Sequence, residues 1–210
     1  EEQKITGLVL DLRNNPGGLL NQAVEIVDKF VGKDQLIVYT QGRVRNQNMR
    51  FSSKGDRPHL EYPLVILVNG GSASASEIVA GALQDHGRAI VLGTQTFGKG
   101  SVQTIIPLGN EGAIRLTTQR YYTPSGRSIQ AKGIDADIII EQPLPPELEG
   151  KNVSTEGEAN LKGHITNEAG GEEGGGSSAY VPEDRAKDVQ IKAAIDLING
   201  VKVVTNVKPK

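Results

Sequence analysis

Two short glycine-containing segments carry the residues that could do chemistry together. The first, Asn69-Gly70-Gly71-Ser72-Ala73-Ser74-Ala75-Ser76-Glu77, runs from an apolar strand into an amphipathic helical pattern. Its serines therefore stand at a helix N-terminus, where unpaired N–H groups and the helix dipole favour negative charge. Ser74 in that position suits a nucleophile whose attack creates an oxyanion. Ser74 and Glu77 also read as a capping box, because S-x-x-E before an apolar helix is its signature. The second segment, Thr96-Phe97-Gly98-Lys99-Gly100-Ser101, follows the next apolar strand and holds one lysine between two glycines. Consecutive strands are usually spatial neighbours, so the two loops are expected to bring Ser74 and Lys99 together.

A lysine takes a proton from serine only as the free amine. Burial lowers an ammonium pKa from about 10.4 toward neutrality, and three pH units of lowering cost roughly 4 kcal/mol of desolvation, which a packed α/β core can bear. Gln103, four residues after Lys99, offers a side-chain oxygen to orient the amine, as an aspartate orients histidine in other serine enzymes. A third turn, Asp11-Leu12-Arg13-Asn14-Asn15-Pro16-Gly17-Gly18, follows the first strand. It reads equally as a plain strand-to-helix turn or as half of an oxyanion hole, with the N–H of Gly17 or Gly18 joining that of Ala75.

Competing chemistries fit less well. His86 lies twelve residues beyond Ser74 on one helix, roughly 18 Å away at 1.5 Å per residue, and is too far to act as its base. His59 and His164 fall in polar segments without the spacing of a zinc site, and the absence of cysteine excludes thiol catalysis, disulfides and thiolate-bound zinc. Gly93 to Lys99 matches G-x-x-x-x-G-K, but Gly100 replaces the metal-binding Ser/Thr and a strand pattern follows where a phosphate loop opens a helix. No nucleotide, metal or cofactor is expected.

The elements that must position these loops are legible as patterns. Leu8-Val9-Leu10, Leu64 to Val68 and Ile90-Val91-Leu92 are continuous apolar runs, as in strands buried on both faces. Helical spacing links Leu20, Ala23, Val24, Val27, Phe30 and Val31, and again Ala75, Ile78, Val79, Ala82 and Leu83. The alternation predicts right-handed βαβ units with sites at the carboxyl ends of the strands. Ser101 to Tyr122 predicts a hairpin around Gly109 to Gly112. Residues 1–140 are thus expected to form one core, 141–183 a mobile linker rich in Pro, Gly, Glu and Ser, and 184–210 a final helix and tail.

The 210 residues are 37% hydrophobic, enough for one sizeable core, and a net charge of −2 lacks the basic footprint of a nucleic-acid binder. No apolar run reaches the roughly 18 residues of a spanning helix. The chain opens Glu1-Glu2-Gln3-Lys4 rather than with Met, so a piece of a longer protein, with its targeting segment removed, is expected.

Four ordered blocks resemble the C-terminal processing (tail-specific) peptidases. They are G-L-V-L-D-L-R-N-N-P-G-G at Gly7 to Gly18, G-S-A-S-A-S-E-I-V-A-G-A-L-Q-D at Gly71 to Asp85, G-T-Q-T-F-G-K-G-S-V-Q at Gly93 to Gln103, and Y-Y-T-P-S-G-R-S-I-Q at Tyr121 to Gln130. The resemblance covers residues 5 to about 138. It implies an α/β fold of the Clp-protease/crotonase spiral type, mostly parallel strands with packed helices, to which the patterns read above add the strand-rich segment and the C-terminal helix. It implies a serine endopeptidase acting near substrate C-termini, with Ser74 as nucleophile, Lys99 as base and Gln103 orienting it. Gly17, Gly18 and Ala75 become the oxyanion hole, and Glu77, Asp85 and Thr96 supporting residues. Members act on protein or peptide substrates in the bacterial periplasm, the cell envelope or the chloroplast lumen, and usually carry a PDZ domain ahead of these blocks. Without one, this chain is expected to bind weakly or be inactive; a homo-oligomer stays open. Two other readings keep the same fold: a catalytically silent binding or assembly module, and a crotonase-like enzyme acting on acyl thioesters.

Overall fold

A computed structural model describes residues 5–55, 61–148, 156–168, 173–174 and 176–203. Four strands, β1 (Leu8–Asp11), β4 (Leu64–Val68), β5 (Ile90–Gly93) and β8 (Ile138–Ile139), form a parallel sheet in the order β1-β4-β5-β8. The continuous apolar run of β4 is explained by its central place. Successive side chains alternate across the sheet, so Leu64, Ile66 and Val68 enter one core while Val65 and Leu67 enter another on the opposite face.

The first core holds helices α1 (Leu20–Asp28) and α2 (Ala75–Asp85), which pack against each other. Residues 75 to 83 of α2 are all buried, because a second sheet covers the helices from the other side. That sheet is antiparallel, in the order β3 (Arg50–Ser52), β2 (Leu36–Gly42), β7 (Ala113–Tyr122) and β6 (Ser101–Pro107). The expected hairpin is present as β6 and β7. The strands β2 and β3 were not predicted, although Leu36-Ile37-Val38-Tyr39-Thr40 has the β-branched and aromatic content of a strand.

The second core receives α3 (Val189–Ile198), whose Ala193 and Ala194 lie against Val65, Leu67 and Leu92. The helix expected from 184 begins as a 3₁₀ turn at Arg185–Lys187 and becomes α-helical after Asp188, which caps it by accepting from the N–H groups of Gln190 and Ile191.

Parts of the segment 141–183 are hydrogen-bonded to loops of the core. Glu158 N–H donates to the Phe97 carbonyl at 2.9 Å, and Gly174 N–H to that of Ala131 at 2.8 Å. Ser177 Oγ donates to the Gln95 carbonyl at 2.7 Å and meets Thr94 Oγ1 at 2.9 Å. Polar and glycine residues of such a segment can pair their groups with a loop of the same chain as well as with water. No helix among the described residues is long and apolar enough to cross a membrane.

Candidate active site

Ser74 is the N-cap of α2, with φ 56° and ψ −115°, a conformation that costs a residue bearing a Cβ on the order of 1–3 kcal/mol. Ser74 and Glu77 do stand in capping-box relation. The Glu77 carboxylate accepts the Ser74 N–H at 2.7 Å, whereas the Glu77 N–H goes to the Ser74 carbonyl at 2.9 Å and no side-chain cap bond forms. The hydroxyl thus stands half-buried without a hydrogen-bond partner among the described residues.

Glu77 is fully buried and ties both loops to one carboxyl group. Its Oε2 accepts from the N–H of Ser74 and, at 2.9 Å, from that of Lys99; its Oε1 accepts from Gly98 N–H at 2.7 Å and Thr96 Oγ1 at 2.5 Å. Residues 74 and 99 are therefore no farther apart along the main chain than two hydrogen bonds through one oxygen. Burial pushes the Glu77 carboxyl up to about 7, while the bonds from Thr96, Gly98, Ser74 and Lys99 pull it back toward the charged form. Thr96 passes the constraint on, since its Oγ1 also accepts from Ile134 N–H at 2.8 Å.

The Lys99 side chain is half-buried and donates to no described residue. Gln103 does not meet it. A bulge between Val102 and Gln103 interrupts the β6–β7 ladder, and the Gln103 side chain is exposed, its oxygen accepting from Arg115 Nη1 at 3.4 Å. Asp85, at the other end of α2, accepts from Ser125 N–H at 2.8 Å and pairs with Arg127. Burial pushes its carboxyl up, but the bonds from Thr123 and Ser125 and the Arg127 charge outweigh this and hold it below the usual range. Its place is to fasten the turn at 123–127 to α2, away from Ser74.

The first glycine turn meets the nucleophile loop directly. A Cβ on Gly17, whose φ is +96°, would stand 2.7 Å from Ala75 N and 2.9 Å from Ser74 Cβ. The Gly17 N–H is engaged by Asn15 Oδ1 at 3.0 Å, whereas those of Gly18 and Ala75 donate to no acceptor among the described residues. Of the three expected oxyanion donors, Gly18 and Ala75 are free to serve.

Several positioning residues were not singled out from the sequence. The Asn15 carbonyl accepts from Ala73 N–H and Ser76 Oγ, each at 3.0 Å. Asn69 Oδ1 accepts from the N–H groups of Asn14 and Gly71. Together they lock the two turns. Gln130, fully buried, accepts from Gly100 N–H at 3.2 Å and donates to the Ile165 carbonyl at 3.0 Å. An asparagine beside paired glycines is the one local signal among these. His86 sits at the far end of α2 against the Leu36 carbonyl, 2.7 Å away. Among the described residues no group of three His, Asp or Glu side chains is placed to hold a metal ion.

Fold and site define an α/β protein with a strained serine at a helix N-terminus, a glycine turn packed against it and a lysine loop laced to the same carboxylate. Residues 1–140 match the Peptidase family S41, and the chain belongs to that family. It is 58% identical over 198 residues to the carboxy-terminal-processing protease of Bartonella bacilliformis, covering 94% of this chain and 45% of that protein. It is 43% identical over 143 residues to the carboxy-terminal processing protease CtpB of Bacillus subtilis, covering 68% of this chain and 29% of that one. A photosystem II D1 C-terminal processing protease has a similar structure, with a TM-score of 0.62 and 39% identity over 71% of this chain and 38% of that chain. The chain thus spans less than half the length of these relatives.

Proposed function

We propose that this chain is the catalytic part of a serine endopeptidase that cleaves protein substrates near their C-terminus through an acyl-enzyme on Ser74. The observation that carries the reading is the shared Glu77 oxygen, which holds residues 74 and 99 against one another while the Ser74 side chain makes no cap hydrogen bond among the described residues. Ser74 Oγ attacks the scissile carbonyl and its proton passes to Lys99 Nζ. The carbonyl oxygen, now an anion, receives the N–H groups of Gly18 and Ala75. When the tetrahedral intermediate collapses, the C–N bond breaks and the amine leaves with the proton from Lys99. Water, deprotonated by the same amine, then releases the acyl group from Ser74.

Specificity for C-terminal regions is carried over from the relatives' names. An extracytoplasmic site of action goes with the same family resemblance and is tested by cell fractionation. Cleavage of a peptide with the sequence of a protein C-terminus, by the full-length protein and its Ser74→Ala and Lys99→Ala variants, tests the chemistry. Loss of turnover in both is expected; full turnover in either overturns the proposal.

A further inference from the structure

Arg13 lies at the root of the Gly17–Gly18 turn, and its side chain is only 2% exposed. A guanidinium has five N–H donors, and here every one is taken. Nε donates to Asp11 Oδ1 at 2.9 Å, and Nη2 to Asp11 Oδ2 at 2.7 Å and Asp188 Oδ2 at 2.8 Å. Nη1 donates to Asp188 Oδ1 at 3.0 Å and Gln190 Oε1 at 2.9 Å. Asp188 and Gln190 are both buried, and both belong to the start of α3, beyond residue 140 where the family match ends.

From this geometry we infer that Arg13 and Asp188 are positioning residues that set the oxyanion turn, anchoring it to the N-terminal cap of the C-terminal helix. The turn is held from two sides. Asn14 and Asn15 fasten it to the nucleophile loop. Arg13 fastens its root to a helix packed on the opposite face of the sheet. The fork pairs two-pronged with Asp188, so rotation of the arginine is blocked as well as its departure. Asp188 performs two tasks with one carboxylate, since the Oδ1 that receives Arg13 also caps α3. Residues 175 positions apart in the chain are thereby joined beside the place where an oxyanion would form. This inference rests on the proposed acyl transfer at Ser74.

Asp188→Asn separates the two tasks, because asparagine still caps a helix but carries no charge for Arg13. The full-length protein, Ser74→Ala, Asp188→Asn, Arg13→Lys and Ile191→Ala are compared well below their melting temperatures. Ile191→Ala loosens α3 packing without touching Arg13. Three quantities are measured: kcat and KM for a peptide substrate, inhibition by a peptide aldehyde whose adduct with Ser74 carries the oxyanion, and affinity for the cleaved product peptide. In Asp188→Asn and Arg13→Lys, kcat is expected to fall about tenfold and aldehyde affinity by about the same factor, with KM and product affinity within about twofold of wild type. Ile191→Ala is expected to change stability alone. Unchanged kcat and aldehyde affinity in Asp188→Asn would overturn the inference, as would an equal loss in Ile191→Ala. Cleavage by Ser74→Ala equal to that of wild type would overturn it together with the acyl-transfer reading.

Discussion

The molecule buries charge beside its candidate site in two contrasting ways. Glu77 is a carboxylate with no ion pair among the described residues, held by three main-chain N–H groups and one hydroxyl. Arg13 is a buried cation whose every donor meets a side-chain acceptor and whose charge meets two carboxylates. Burial leaves Glu77 raised to about 7, whereas at Asp188 the same desolvation is outweighed by the Arg13 bond and the Ile191 N–H, so its carboxyl lies below the usual range. A hub made of N–H dipoles fixes two loops yet remains able to take up a proton near neutrality. A hub made of opposite charges fixes a turn and stays charged.

The largest effect expected from breaking the contrast is on stability. Arg13→Ala strands the buried carboxylate of Asp188 and should cost about 3–5 kcal/mol, measured by urea denaturation. Gly17→Ala attacks the other side of the turn. Its methyl group would press on Ala75 N and demand a left-handed backbone, and kcat should drop about 10²–10³-fold, the range for a lost oxyanion donor. Glu77→Gln presents an amide to N–H groups that need acceptors, and a fall in kcat of about 10²-fold is expected from the loosened loops.

The pH responses of the two hubs should have opposite signs. Between the ordinary glutamate value of 4.5 and about 7, the unfolded chain has released the Glu77 proton that the folded chain still holds. Stability from this group is therefore fully present below 4.5 and declines as pH rises through the window, while the charged form that organises the loops accumulates. Asp188 works the other way. Its folded value is depressed, so its contribution is present above the ordinary aspartate range and is lost as pH falls below it. Denaturation midpoints of wild type and Glu77→Gln across pH 4.5 to 7 check the first sign, since the variant should lack that decline. Smallest is Gln103→Ala, for which an exposed side chain paired with Arg115 predicts kcat within about twofold of wild type.

Much of the hub at Glu77 was legible because it is local. Ser74 and Glu77 lie on one turn of helix, and Thr96 and Lys99 follow the next strand of a parallel sheet, so strand order alone brings them together. The clamp at Arg13 was not, because nothing in a run ending Asp-Leu-Arg says that its partner stands 175 residues on. The antiparallel sheet was half legible for the same reason. The β6–β7 hairpin is a neighbouring pair, but β2 joins β7 across some eighty residues, and periodicity carries no information about such pairing. Gln103 stands next to an irregularity that the sequence does not announce. The expectation of a side chain facing Lys99 takes no account of the bulge after Val102.

Trapping the acyl-enzyme tests the central claim most directly. The full-length wild type, Ser74→Ala and Lys99→Ala are each mixed with a slowly hydrolysed activated ester of a substrate peptide, then quenched and analysed by intact mass and peptide mapping. The account predicts one acyl group on Ser74 in wild type and none in either variant; an adduct on another residue, or one that forms on Ser74 equally fast without Lys99, would contradict it.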